Sequence, residues 1–490
     1  MRLRDVAMYL GLDNINVPDI EVKNLQYDSR RIQPEDLFVA LVGVKSDGHD
    51  YIEKAIAQGA AAVLAERPMP ELEGFVPILY CHNTRKATAL LSALWHNFPD
   101  RNMRMIGVTG TNGKTTTTHL IKWVWDYYNI NSGLIGTIQN SAGAKILPAS
   151  HTTPEPVELG QLLAMMRDDN CANVVMEVSS HALKQNRVEG FHFDGAVFTN
   201  LTQDHLDFHG NFEDYLQSKI RLFTMLNRGD ITCKYGVINI DDAAAPSFIE
   251  VTKVPIWTYS IKKPATLQAS EYHVTPKGTS FTLLYRGAEH QVEVPLTGQF
   301  NVYNVLAAMA VLLAEGMELG KITEALAKAP QVAGRFEKVD EGQNFTVIVD
   351  YAHTPDGLEN VLTTARGIAK NRLITVFGCG GDRDRTKRPI MGRIAGKLSD
   401  YVIITSDNPR TEEPMDIIAE IEPGIKGVSQ NYEIDADRRT AIRLAIKKAR
   451  QGDVVVIAGK GHEDYQLVKG QVLSFDDRKV AREILRESKK

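Results

Sequence analysis

The stretch GVTGTNGKTTTTHL, Gly107 to Leu120, sets glycines, a lysine and a run of threonines at the end of an apolar segment. Residues of these types at this spacing can hold a phosphate. Gly110 and Gly113 let the backbone turn its N–H groups toward anionic oxygens, and a helix opening there adds partial positive charge. Lys114 reaches β- and γ-phosphates, and the Thr115 hydroxyl suits Mg²⁺. Thr111, Asn112 and Thr116 complete the expected ATP-binding set. The usual phosphate loop has a glycine five residues before the glycine of G-K-[ST], and here Val108 stands there. Gly107, Gly110 and Gly113 give G-x-x-G-x-x-G-K-T instead. Strand, loop and helix in that order favour a nucleotide over an incidental turn.

A γ-phosphate needs an oxygen-liganded cation to offset its charge. VVMEVSSHAL brings Glu177 to the end of an apolar run, where a strand beside the loop would emerge. FTNLTQDHLDFHG offers Asp204, His205, Asp207 and His209 after the next strand. Mixed carboxylates without cysteine make a poor zinc site. Nearer the C-terminus, TSDNPRTEEP follows the apolar run Tyr401 to Ile404 and crowds Asp407, Asn408, Pro409 and Arg410 into one turn. A solvated turn uses these residue types. So does a socket for a ligand carrying both charges. GCGGDRD lacks the G-x-G-x-x-G spacing, so NAD binding is set aside.

These groups need rigid elements to position them. At 490 residues the chain is too long for one core, and about three domains are expected. The segments around Met105–Thr109, Asn173–Ser180 and Gly195–Thr202 read as strands alternating with helices, a mainly parallel central sheet. FTVIVDYAH, RLITVFGCGG, YVIITSDN and DVVVIAGKG repeat the alternation and predict a second doubly wound unit. Before residue 100 short strands such as DLFVALVG mix with a helix read over DYIEKAIAQGAAAVLAE. Polar, proline-bearing His96 to Arg104 and the stretch Ala329 to Val339 read as linkers. The expected divisions are residues 1–100, 101–332 and 333–490, an α/β chain with a central P-loop-type ATPase domain and a C-terminal Rossmann-like domain.

Hydrophobic content of 43% and charged content of 24% describe an ordinary globular protein. A net charge of −5 gives no electrostatic reason to expect nucleic acid. The longest apolar run, Val305 to Ala314, is too short for a bilayer, and the opening MRLRDVAMYLGLDN is broken by charges. Four well-separated cysteines fit a reducing cytoplasm.

GTNGKTTT, MEVSSHAL, TNLTQDHLDFHG and SKIRLF together resemble the Mur ligase family, ATP-dependent ligases that extend the peptide of the cell-wall precursor. The likeness continues through GQFNVYNVLAA, GRFE, DYAHTPDGLENVL and GKGHEDYQ, essentially the whole chain. It implies that Lys219 in SKIRLF is N-carboxylated, since a carbamate gives Mg²⁺ hard oxygens where an ammonium would repel it. Thr115 and Glu177 would then hold one Mg²⁺, and His205 with Lys219 a second. Asn301, Asn304, Arg335 and Asp350 match nucleotide contacts, although the two asparagines read equally well as helix caps.

The resemblance places the uridine diphosphate end of the precursor at Ser29 in the first domain. The muramoyl dipeptide would meet Thr152, Thr153, Ser179, Gln185 and Arg187, the guanidinium suiting a carboxylate. Arg383, Asp407, Asn408, Pro409, Arg410, Gly459 and Glu463 match contacts to the incoming amino acid. D-N-P-R implies meso-diaminopimelate rather than lysine, because only diaminopimelate brings a carboxylate with its distal amine. The implied reaction adds it to UDP-N-acetylmuramoyl-L-alanyl-D-glutamate through an acyl phosphate, in a cytoplasmic monomer with hinges at both linkers. The rivals are a lysine-adding or folylpolyglutamate-type ligase and a non-enzymatic P-loop regulator.

Overall fold

The computed structural model describes residues 1–12, 17–43 and 46–488. Asp13 and Asn14, which close the charge-broken opening stretch, lie outside the described residues. Near the N-terminus the apolar triplet Leu37–Val39 and the segment Ala62–Ala65 are buried at every position. They form the middle of a four-stranded parallel sheet between Leu25–Gln26 and Ile78–Tyr80. This corrects the long helix read over DYIEKAIAQGAAAVLAE. Only Ile52–Ala57 is α-helical; Gly59 turns the chain at φ 102°, and Ala-Val-Leu-Ala becomes a strand. Uniform apolarity suits a parallel strand covered on both faces better than an amphipathic helix.

The segment read as a first linker is packed. Pro99–Asn102 is a 3₁₀ turn in which Pro99 and Asp100 are buried, and Asp100 accepts the backbone N–H of His192.

The second sheet has eleven strands. Its centre is parallel, with Arg104–Thr109 between Gly195–Phe198 and Asn173–Glu177. Both margins are antiparallel, Leu267–Val294 on one side and Asn140–Leu147 on the other, which apolar alternation alone did not reveal. Helix Lys114–Tyr127 leaves the first strand toward Ser132–Ile135, whereas Gly195–Phe198 leads toward Tyr235–Asn239 on the opposite side. That reversal opens a crevice at the strand ends, where ligands of such sheets bind. Helix Gln299–Ala314 is apolar all round and buried along most of its length against helix Lys114–Tyr127, as a helix without a solvent face must be.

The third sheet carries Thr346–Asp350, Val454–Ala458, Leu373–Phe377, Tyr401–Ile404 and Tyr432–Ile434 in parallel, in that order. Glu337–Val339, from the region read as the second linker, adds an antiparallel edge. A separate hairpin, Tyr465–Val468 with Gln471–Ser474, follows the last parallel strand. The architecture is α/β with three domains.

Candidate active site

The phosphate loop is built by two loops that brace each other. Thr111 N–H donates to Asn200 O, Asn112 N–H donates to Asn200 Oδ1, and Thr199 Oγ1 donates to Asn112 O. Gly110 lies at φ 146°, and a Cβ there would sit 1.9 Å from Thr199 Oγ1. Gly113 lies at φ 88°, and a Cβ would meet Asn304 Oδ1 at 2.4 Å. Glycine at both positions leaves a concave backbone surface at the N-terminus of helix Lys114–Tyr127.

Two lysines converge on this loop. Lys114 Nζ donates to Gly110 O at 2.9 Å and to Thr111 O at 2.8 Å, and Lys219 Nζ donates to the same Gly110 O at 2.8 Å. Among the described residues neither has a carboxylate partner within salt-bridge distance. Burial, then the charge of Lys114, pushes the Lys219 amine well below its ordinary range. Burial lowers Lys114 too, against the pull of Glu177 and Asp204. Two buried amines without a carboxylate partner suit an anionic ligand that would restore their charge.

Glu177 is fully buried at its strand's end. It accepts Thr115 Oγ1 at 2.9 Å, Thr137 N–H at 2.8 Å and Thr137 Oγ1 at 3.0 Å. Arg335 Nη2 donates to Thr115 Oγ1 at 2.9 Å, bringing the third domain onto the loop. Asn112 makes a second such link, donating to Asp356 Oδ2 at 2.7 Å. The QDHLDFH cluster divides. Asp204 and His205 face the loop with Nε2 and Oδ2 3.2 Å apart, whereas Asp207 is exposed and His209 turns away to Asp214 and Ser180. Burial pushes His205 down to about 3 despite Asp204. Burial would raise Asp204, but His205, His353 and Lys387 hold it below the usual carboxylate range.

Asn301 and Asn304 do not cap their helix, whose N-cap is Gly298. Asn301 donates to Thr297 O, Asn304 donates to Asn301 Oδ1, and Asn304 rests against Gly113. Asp350 accepts the N–H groups of Phe336 and Ala352, and burial raises it to about 6 despite Arg335. Thr152 receives the Thr137 hydroxyl and Thr153 Oγ1 donates to the backbone O of Glu177, joining their loop to the end of the Glu177 strand. Arg187 pairs with Glu155 at 2.8 Å and donates to Gln185 Oε1 through Nε and Nη2. Ser29 is buried in the first domain on a 3₁₀ turn capped by Asp28.

At the strand ends of the third sheet, Arg410 takes a left-handed backbone, φ 54°. Its Nη1 donates to Gly381 O at 2.7 Å, and among the described residues no carboxylate pairs with it. Burial, then nearby Arg383, lowers its guanidinium. A Cβ on Gly380 would meet both arginines. Asn408 Nδ2 donates to Glu463 Oε2 at 2.8 Å, and fully buried Lys460 donates to Glu463 at 2.9 Å and to Asn408 Oδ1 at 3.2 Å. Burial raises Glu463 against the pull of Lys460. Asp407 Oδ2 is buried without a hydrogen-bond partner, beside the glycine cradle of Gly459 at φ 120°.

Residues 21–95 match the catalytic domain of the Mur ligase family, 108–312 its middle domain and 334–461 its glutamate ligase domain. A UDP-N-acetylmuramoyl-L-alanyl-D-glutamate--2,6-diaminopimelate ligase of Syntrophomonas wolfei is 51% identical over 99% of both chains. The Chain belongs to the Mur ligase family. The ligase of the same name from Geobacillus thermodenitrificans is 48% identical over 96% of both chains. A solved structure with that name overlays with a TM-score of 0.68 at 34% identity, covering 97% of each chain. MurF from Thermotoga maritima, solved with ADP, overlays at 0.61 and 18% identity over 95% of this chain, a likeness of fold.

On this Mur ligase most of the sequence-derived residues gather around Gly110 or around Arg410, while Ser29 stands apart in the first domain. Sequence reading missed Thr137, Lys387, Lys460 and Arg438. Arg438, fully buried, pairs with Asp477 at 2.7 Å and donates to Ser406 O and Ala458 O, tying two site loops together. Of these, only Lys460 carried a signal, its place inside GKGHED. No helix among the described residues is long and apolar enough to cross a membrane, and no group of three or more His, Cys, Asp or Glu there could hold a metal.

Proposed function

We propose that the chain catalyses ATP-driven addition of meso-diaminopimelate to UDP-N-acetylmuramoyl-L-alanyl-D-glutamate, the reaction named for its relatives. The observation that carries the choice of amino acid is Arg410, half-buried and, among the described residues, without a carboxylate within salt-bridge distance, although Asp407 and Glu463 lie nearby. A diamino diacid offers a carboxylate for Arg410 and an ammonium for the unpartnered Asp407 Oδ2, whereas lysine would leave the guanidinium unanswered.

The D-glutamyl carboxylate attacks the γ-phosphate, releasing ADP and leaving an acyl phosphate. The amine then attacks the acyl carbon, and the tetrahedral intermediate expels phosphate. Lys114 offsets the charge that spreads over the transferring phosphoryl group, and the N–H groups around Gly110 and Gly113 hold its oxygens. The oxygens of Thr115 and Glu177 suit Mg²⁺, with His205 and an N-carboxylated Lys219 as further ligands. Mg²⁺ bound there would supply charge neutralisation at the phosphates. The lowered amine of Lys219 supports carboxylation, because only a neutral amine attacks CO2.

The divisions 1–100, 101–332 and 333–490 are proposed as the precursor, ATP and amino-acid domains, supported by the three consecutive family matches. Ser29, Thr152, Thr153, Ser179, Gln185 and Arg187 are proposed to hold the precursor, and Asn301, Asn304, Arg335 and Asp350 the nucleotide. A cytoplasmic monomer with small-molecule substrates alone completes the reading. The test is ligation by the purified chain with ATP, Mg²⁺, precursor and an amino-acid panel. Product with diaminopimelate and little with lysine is expected; robust lysine addition in its place overturns the substrate.

A further inference from the structure

The loop Asp407 to Arg410 is held from outside its own sheet. Gln466 Nε2 donates to Asp407 O at 2.6 Å and to Ser406 Oγ at 3.3 Å. Leu467 N–H donates to Asn408 Oδ1 at 3.0 Å. Arg410 N–H donates to Leu467 O at 2.9 Å, and Lys469 N–H returns to Arg410 O at 2.6 Å. All these partners lie on one arm and the turn of the hairpin Tyr465–Ser474, whose tip, Lys469 and Gly470, has positive φ at both residues. Such a two-residue turn matches the twist of paired strands and stiffens them. In effect the outer edge of Tyr465–Val468 adds the Arg410 segment as a third strand, through the bridge Arg410 to Val468.

The consequence concerns pose. Arg410 stands at φ 54°, a conformation that side-chain-bearing residues adopt only where their surroundings impose it. Its backbone N–H and C=O are both bonded to the hairpin, so the hairpin imposes it. Asn408 accepts from Leu467 and Lys460 through Oδ1 and donates to Glu463 through Nδ2, so most of its amide is engaged within the protein rather than open to a ligand. Glu463 is thereby linked to the same hairpin through Asn408.

We propose that this hairpin, through Gln466 and the Leu467 N–H, is the positioning element that aims Arg410 and so sets the preference for an amino acid with a distal carboxylate. This rests on the reading of Arg410 given above. Gln466 and Leu467 are both partly exposed and make no hydrogen bond to a residue proposed to hold ATP or precursor. Gln466→Ala removes the amide that holds Asp407 O. Leu467→Pro removes the N–H given to Asn408.

The test measures KM for diaminopimelate, ATP and precursor, and the ratio of kcat/KM for diaminopimelate to that for lysine, in the native chain and both variants. Each variant is expected to raise KM for diaminopimelate about fivefold to tenfold, the effect of losing roughly one hydrogen bond. The diaminopimelate-to-lysine ratio is expected to fall by a similar factor, with KM for ATP and precursor unchanged. A ratio retained in both variants while the native chain shows the preference overturns the hairpin's role alone. A parallel rise of all KM values also overturns it, since that marks general loosening. A native chain that adds lysine as readily overturns the underlying reading of Arg410.

Discussion

Lys114 and Lys219 donate to one carbonyl oxygen, and without an opposing charge such a pair is tolerable only when an amine sheds its proton or an anion is near. Lys219→Ala should therefore abolish ligation, and small carboxylates such as formate should restore part of it by filling the space of a carbamate. No recovery at high carboxylate would count against carboxylation. Arg410→Ala should raise KM for diaminopimelate and reduce its preference over lysine by on the order of a thousandfold, because a polar pocket with its guanidinium gone no longer rejects the wrong ligand. ADP release with ATP and precursor alone should be spared. Burial also pushes His462 down to about 3, helped by Arg335, and His181 down to about 4, helped by His209. Both bind fewer protons folded than unfolded, so their contribution is whole above pH 6.5 and shrinks as pH falls toward 4 and 3. Thermal melts between pH 7 and 4 should show declining stability, with a shallower slope in His462→Gln.

Elements matter where one side chain joins two of them. Arg438, on helix Arg438–Lys448, reaches Asp477 on helix Asp477–Glu487 and the carbonyls of Ser406 and Ala458 at two strand ends. Both charged groups are fully buried. Asp477→Ala leaves the guanidinium uncompensated and should destabilise the third domain by about 3–5 kcal/mol, measurable by denaturant unfolding. The phosphate loop has the opposite dependence, on the absence of a side chain. Gly110→Ala would place a methyl 1.9 Å from Thr199 Oγ1, at a φ few residues adopt. ATP affinity should collapse while the overall fold, read by far-UV circular dichroism, persists.

Across the whole molecule, the third domain reaches the 110–115 loop of the second through Arg335 and Asp356, and the first two domains are those proposed to take the precursor and the phosphates. Closure must bring the acceptor amine to an acyl phosphate and exclude water from it. The chain between the second and third domains turns at Gly334, φ 65°, where a Cβ would sit 2.1 Å from His462 N. Gly334→Ala should therefore reduce kcat far more than it changes binding of any single substrate, as stopped-flow and equilibrium binding would separate.

Much of this was legible before any coordinates. Strand and helix alternation placed the two doubly wound sheets, because buried parallel strands are continuous apolar runs, as Val454–Ala458 is. The phosphate loop was legible because its chemistry is local: glycine, lysine and threonine act within eight residues of one another. The antiparallel margins were not, since Leu267–Thr275 is largely exposed and lacks clean alternation. Nor was the strand Ala62–Ala65, whose alanines favour a helix until neighbours at Leu37–Val39 and Ile78–Tyr80 cover it. The sequence by itself marked the candidate residues for phosphate and for a charged amino acid. Only the tertiary structure decided that Arg187 answers Glu155, that His209 leaves the loop, and that a hairpin aims Arg410. Each depends on a partner from another element, Glu155 for Arg187, Ser180 for His209 and Leu467 for Arg410, and such pairing is set by packing of whole elements rather than by local spacing.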